Sequence, residues 1–266
     1  ELESDVALRV TDLPETTWEV AGRGELHLAI LVERLRREGY ELQVSQPQVI
    51  TRQVDGKTHT PYERLFVEVP EAYGGVVIQK LGTRFGEIQD MRTEGGITYL
   101  EFSVPTRGLF GYRTEFLSDT RGLGIMNTTF YQYQAEPGKW PEREQGSMVA
   151  HESGTSNLYG LLNVQDQGTL FIGPAVNVYK GQVVGQNSRP KDLPVNVCKV
   201  KQLSNMRSKG EGSAEHFKAP RTMDLEDAME YIGADELVEV TPQSVRIRKR
   251  ILDEAEERRK QLGIRA

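Results

Sequence analysis

The sequence predicts an α+β chain: two ferredoxin-like domains, the first incomplete at its N-terminus, followed by a β-rich C-terminal domain with short helices. Three observations carry this. Apolar residues recur at three- and four-residue steps in a few stretches and at two-residue steps in many more. The order strand, helix, strand, strand, helix, strand, which defines the split βαβ unit, is complete once along the chain. A polar stretch rich in Pro and Gly, "AEPGKWPEREQGS", then separates that unit from a tail of short runs punctuated by Gly, Pro and Asn.

The first domain, residues 1–57, reads strand, strand, helix, strand, as "VALRV", "TTWEV", a helix from Glu25 to Glu38, and "YELQVSQPQVI". Its opening strand is expected to be missing. In the helix Leu28, Leu31 and Leu35, with Ile30 beside them, recur on one side, while Glu33, Arg34, Arg36 and Arg37 fall largely elsewhere. Gly39 is placed to end it as a C′ glycine.

The second domain, residues 61–135, gives "RLFVEVP" as strand, "EAYGGVVIQKLGTR" as helix, and "GEIQDMR" and "ITYLEFSVP" as strands paired around Glu94, Gly95 and Gly96. A helix from about Leu109 to Ser118 and the strand "GIMNTTFYQYQ" complete it.

The third domain, residues 136–266, carries "LYGLLNV", "GTLFI", "GQVVGQ" and "LPVNVCKV", which suggest a small antiparallel sheet or barrel. After a long loop a short helix is expected at about Asp224 to Tyr231, with Met223, Leu225, Ala228, Met229 and Ile232 as its apolar face. "TPQSVRIRKR" alternates Val245 and Ile247 with Arg246 and Arg248, as an edge strand would, and "ILDEAEERRKQL" reads as a charged surface helix.

With 266 residues and 37% apolar content the chain can hold two or three ordinary cores. One cysteine excludes an internal disulfide framework and suits a reducing compartment, so a cytoplasmic location is expected. No apolar run approaches the roughly 18 residues of a spanning helix, and no membrane partner is expected. The chain starts at Glu1 rather than at Met, which suggests a piece of a longer protein; a monomer is the default expectation.

"GRGELHL", from Gly22 to Leu28, resembles a phosphate cradle at first sight. The Walker spacing is absent, however, and Glu25 would set a carboxylate where a phosphate must sit. The "GKT" at Gly56 to Thr58 reads as a hairpin turn. His27, His59, His151 and His216 are scattered, and with Cys198 as the only thiol there is no zinc ligand set and no assignable acid, base or nucleophile. No catalytic residue, metal or bound cofactor is expected in this chain. A small-molecule enzyme is therefore the weakest reading.

The net charge of −6 argues against a protein that coats nucleic acid uniformly, but the charge is uneven. Lys199, Lys201, Arg207, Lys209, Lys218 and Arg221 crowd one stretch, and "RIRKR" spans Arg246 to Arg250.

Longer stretches resemble a known family. "GRGELHLAILVERLRREGYELQVSQPQVI" is similar to the third domain of translational GTPases related to elongation factor G. "VEVPEAYGGVVIQKLGTRFGEI" and "VPTRGLFGYRTEFLSDTRGLGIMNTTFYQY" resemble the fifth domain of that group. "VYKGQVVGQNSRPKDLPVNVCKVKQLSNMRS" and "ADELVEVTPQSVRIRKR" resemble the C-terminal domain of the TypA/BipA family. The related factor LepA carries a different tail domain. The resemblance covers essentially the whole chain and makes "GRGELHL" a strand-to-helix junction.

That family implies docking on the 70S ribosome, with large-subunit ribosomal RNA and A-site transfer RNA as partners, in ribosome assembly or in translation under stress. It implies GTP and magnesium on a G domain that this chain lacks. In the tail loop Lys199, Lys201, Arg207, Lys209 and Lys218 would meet phosphates, and Asn205 sugar or base, with the 203–220 segment extended by its small residues. Arg84, Arg107 and Arg113 correspond to the loop and helix that face large-subunit RNA in relatives. Phe85 stands where relatives often have a second arginine, and either stacks on a base or packs internally. Arg246, Arg248 and Arg250 are spaced to share one face, as a phosphate track would need; the bland reading is a solvated edge that resists aggregation. A stand-alone RNA-binding adaptor is the alternative.

Overall fold

The structure is a computed structural model that describes residues 7–138, 140, 143, 145–200 and 216–252. Lys201, Asn205, Arg207 and Lys209, and the final charged helix from residue 253 onward, lie outside the described residues. The chain divides into two units, residues 1–46 with 141–266, and residues 47–140.

An antiparallel hairpin comes first, β1 (Arg9–Leu13) against β2 (Thr17–Ala21). Helix α1 (Glu25–Arg37) follows, with Glu25 in its first turn and Arg34, Arg36 and Arg37 in its last, each sign favoured by the helix dipole. His27 Nδ1 accepts the Arg23 N–H at 3.1 Å, so the histidine of "GRGELHL" locks the turn that starts the helix. Gly39, at φ 94, lets the Tyr40 N–H reach the Leu35 carbonyl at 3.1 Å and closes the helix. Strand β3 is only Leu42–Ser45, shorter than the run expected to Ile50. Pro47 just beyond it has no N–H for a ladder.

In the unit of residues 47–140, β4 (Arg52–Val54) turns into β5 (Lys57–Pro70) through Asp55 and Gly56, at φ 52 and 74. Positive φ at both central residues matches strand twist in a two-residue hairpin, so "GKT" is a turn. Then come α2 (Glu71–Thr83), β6 (Glu87–Glu94), β7 (Ile97–Pro105), a 3-10 turn at Thr106–Leu109, α3 (Tyr112–Asp119) and β8 (Ile125–Ala135). The single helix expected from Leu109 is thus split, because Gly111 takes a left-handed φ of 66 between the turn and α3. β8 pairs β5, β5 pairs β7 and β7 pairs β6, all antiparallel. Leu65, Val67 and Val69 of β5 and Leu100, Phe102 and Val104 of β7 bury one sheet face against Val77 and Leu81 of α2 and Tyr112 and Phe116 of α3.

The other unit resumes with β9 (Ser147–Ala150), β10 (Gly154–Thr155), α4 (Leu158–Val164), β11 (Gly168–Leu170), β12 (Asn177–Val178), β13 (Gln182–Asn187) and β14 (Leu193–Val195). Helix α5 (Leu225–Tyr231), β15 (Glu236–Val240) and β16 (Val245–Lys249) follow. "LYGLLNV", grouped with strands on its apolar run, is helix α4: the Asn157 side chain caps it by accepting the Gly160 N–H at 3.0 Å. Periodicity cannot separate strand from helix over so short a run. α5 matches its expected span, with the Asp224 carboxylate capping Asp227 N–H at 2.8 Å.

The main sheet runs β14-β9-β13-β16-β15-β3, with β11 also on β13. β14 lies parallel to β9, so the sheet is not wholly antiparallel. β16 lies between β13 and β15 and is not the edge strand that its alternation suggested. β3 takes the edge instead, pairing Val44 with Val238 and Leu42 with Val240. Residues 1–46 therefore share a core with the tail: Ala29 and Val32 of α1 meet Ala228, Met229 and Ile232, over Val238, Val240 and Ile247. Apolar burial of this kind is the dominant favourable term in folding. Among the described residues no helix is long and apolar enough to cross a membrane.

Candidate nucleic-acid interface

The basic run on β16 follows strand alternation strictly. Ile247 and Lys249 are buried, while Arg246 and Arg248 stand half-buried on the opposite face. Across the ladder Arg246 pairs with Glu239, and Arg248 lies between Leu237 and Gln182. The Glu239 carboxylate is engaged by Tyr179, whose Oη donates to Oε2 at 2.5 Å. Burial pushes the Tyr179 phenol well above its usual range, and the Glu239 hydrogen bond adds to this, so it stays a neutral donor. Arg246 makes no ion pair among the described residues. Arg248 Nε donates to the Lys249 carbonyl at 3.1 Å, and exposed Arg250 is fixed through its backbone N–H on the Asp235 carbonyl at 2.8 Å. One strand thus presents cations at two-residue steps, about 7 Å apart, near the phosphate spacing of an extended single strand.

Lys249 interrupts the run. It is buried among Asp192, Asp235 and Glu236, with Nζ 2.7 Å from Asp235 Oδ2 and 3.0 Å from Glu236 Oε1. Glu236, fully buried, also meets Arg143 Nη1 at 2.9 Å and the Ser147 hydroxyl at 2.6 Å. Burial opposes its ionisation, but the Arg143 hydrogen bond, the charges of Lys249 and Arg143 and the Ser147 hydroxyl outweigh that and hold its carboxyl at about 2. For Lys249 burial is likewise outweighed by Glu236, and its ammonium is held well above the usual range. This network is a brace centred on the buried Glu236 and Lys249. Its signal in the sequence was an acid and a base at inward positions of two alternating strands.

Lys199 is exposed. Lys218 is exposed too, but its Nζ pairs with Asp166 at 3.2 Å and its backbone N–H donates to Gln165 at 3.1 Å. An exposed pair of this kind is weak enough to yield to a phosphate.

In the other unit, Arg84 does not face outward as its position in the loop suggested. Its Nη1 donates to the carbonyls of Gly108 at 3.0 Å and Phe110 at 2.8 Å, and Nη2 pairs with Glu115 at 3.2 Å. The guanidinium is consumed in tying the loop after α2 to the 3-10 turn before α3. Arg107 and Arg113, by contrast, are exposed, and Arg113 has no ion-pair partner among the described residues. Phe85, at φ 61, packs its ring edge-on against Trp140 with centroids 5.0 Å apart, and Arg107 lies 5.3 Å from the same indole. Phe85 is therefore an internal packing residue. Trp140 escaped the sequence reading because it lies in a stretch whose Pro and Gly marked it only as a boundary.

Residues 145–254 match the family described as the TypA/BipA C-terminal domain, and residues 58–144 match the elongation factor G C-terminus. The chain is 51% identical over 251 residues to the large ribosomal subunit assembly factor BipA of Synechocystis, covering 94% of this chain and 42% of that protein. The chain belongs to the TypA/BipA family, as its C-terminal part. The BipA of Bacillus subtilis is 48% identical over 260 residues, and that of Escherichia coli K12 44% over 262, covering 96% and 97% of this chain. The chain spans less than half the length of these TypA/BipA relatives, 42% and 43% respectively. Among the described residues no group of three or more His, Cys, Asp and Glu is placed to hold a metal.

Proposed function

We propose that this chain is the ribosome-binding part of a TypA/BipA assembly factor for the large ribosomal subunit, gripping ribosomal RNA with two sets of cations. The first is Arg246, Arg248 and Arg250 with Lys199 and Lys218, together with Lys201, Arg207 and Lys209 of the tail loop, where the neutral Asn205 would hydrogen-bond sugar or base. The second is Arg107 and Arg113. The observation that carries the reading is the Arg246 guanidinium, which makes no ion pair among the described residues, in a chain whose net charge is −6. Phosphates neutralised by such cations release counterions, which gives affinity that falls steeply with salt.

Within this reading the tail loop approaches the acceptor end of A-site transfer RNA, GTP hydrolysis with magnesium belongs to a G domain outside this chain, and the protein acts as a cytoplasmic monomer in assembly or stress-responsive translation. The segment 1–46 corresponds to part of a ferredoxin-like domain as in the third domain of elongation factor G relatives. Matches at this identity to one part of longer assembly factors do not favour a stand-alone adaptor.

The test is cosedimentation of the chain with isolated large and small ribosomal subunits at low salt. Retention by the large subunit alone, released as salt rises, is the expected result. Equal retention by both, or none, contradicts the proposal.

A further inference from the structure

The sheet of residues 47–140 has a second face, opposite the one that α2 and α3 of the same unit cover. Strand register places Arg64, Phe66 and Glu68 of β5, Tyr99, Glu101 and Ser103 of β7, and Glu87, Asp90 and Arg92 of β6 together on it. Phe66 is 41% exposed there, and Ile125, opposite Glu68, is 55% exposed. The same face contains a cavity of about 270 Å³ lined by Arg64, Glu87, Glu101, Ser103, Tyr131 and Gln134 among others.

Two features of this face select an occupant. Ser103 is 6% exposed, opens on the cavity and makes no side-chain hydrogen bond among the described residues. Its hydroxyl can therefore donate to or accept from a polar group that enters the cavity. Glu68, Glu87, Asp90 and Glu94 form no ion pair among the described residues. The two cations on the face are already engaged: Arg64 lies 3.7 Å from Glu101 and 4.5 Å from the Tyr131 ring centroid, and Arg92 lies 4.8 Å from that of Tyr99. A nucleic-acid backbone would meet uncompensated carboxylates, so phosphate is the wrong chemistry. A cationic side chain on an apolar segment is the right one.

We propose that this face docks a basic segment of a partner protein, seating one arginine or lysine in the cavity against Glu87 and Ser103 while apolar neighbours cover Phe66 and Ile125. The contact is independent of the RNA-facing arginines and assigns the two faces of the same unit to different polymer classes. Planar guanidinium can donate to the Glu87 carboxylate, the Ser103 hydroxyl and the Gln134 amide at once, and Tyr131 offers a ring face.

The test uses the full chain and a fluorescent peptide alternating arginine and valine, read by anisotropy, with amide shifts mapping the site. The peptide is expected to bind and to perturb β5, β6 and β7. Glu87→Gln and Ser103→Ala are each expected to weaken it by about tenfold, the loss of one charge-assisted or buried hydrogen bond. Glu226→Gln, which removes the same charge from an exposed position of α5, should leave affinity within about twofold. Circular dichroism confirms that each variant is folded. Equal weakening by all three, shifts confined elsewhere, no binding, or displacement of the peptide by an RNA oligonucleotide of matched length would each overturn the proposal.

Discussion

Glu236 and Lys249 stand directly opposite each other on β15 and β16, both on the buried side of the sheet, with Oε1 and Nζ 3.0 Å apart. Arg143, of the same unit, reaches the same carboxylate, and Ser147 and Tyr231 complete the set. Two charges occupy inward positions of the sheet, and each is tolerated because the other is there.

Glu236→Ala should therefore cost about 3–5 kcal/mol, since it strands Lys249 and Arg143 without their shared acceptor. Urea unfolding measures it. Acid adds a second signature. The Glu236 carboxyl is held at about 2, below its ordinary 4.5, so the stability it supplies is complete above 4.5 and is lost as pH falls from there toward 2. Glu236→Gln should flatten the stability profile across that window, and an unchanged profile would remove the brace from the account.

Trp140 is 9% exposed against Phe85 and Arg107, whereas Trp18 is 58% exposed. Trp18→Phe leaves one buried indole, so its emission should be blue-shifted in the folded chain and move to the red on unfolding. Trp140→Phe should emit at the water-exposed position both before and after. Similar spectra for the two variants would place Trp140 in solvent.

Arg84 and Arg113 make opposite predictions. Arg84→Ala should lower stability by about 1–3 kcal/mol, because the Gly108 and Phe110 carbonyls lose their donor, with RNA affinity little changed. Arg113→Ala should leave stability within about 0.5 kcal/mol and weaken RNA binding. Paired melting and filter-binding measurements distinguish them, and the reverse pattern would restore Arg84 to the interface.

What the sequence made legible followed the strength of its periodic signals. α1 and α5 are found within a residue of expectation, because apolar residues at helical steps agree with Glu25 in the first turn of α1 and with Asp224 at the cap of α5. β7 and β8 likewise emerge from long alternating runs. "LYGLLNV" failed because a mostly apolar run of seven residues fits either period, and only Asn157 as a cap distinguishes them. The position of β16 inside the sheet, and β3 beside β15, were hidden because strand partners far apart in sequence leave no local mark. Arg84 was misread for a related reason: a loop arginine looks free until the Gly108 and Phe110 carbonyls are brought against it. Lys249 in "RIRKR" shows that a charge run need not be a solvated face.

The most direct measurement of the central claim is the affinity of the chain for large-subunit ribosomal RNA across a salt series, for the natural sequence and for Arg246→Ala/Arg248→Ala/Arg250→Ala. If these side chains each neutralise a phosphate, the slope of log affinity against log salt should become shallower by about 2–3. A variant whose slope and affinity match the natural chain would show that β16 is not part of the RNA grip.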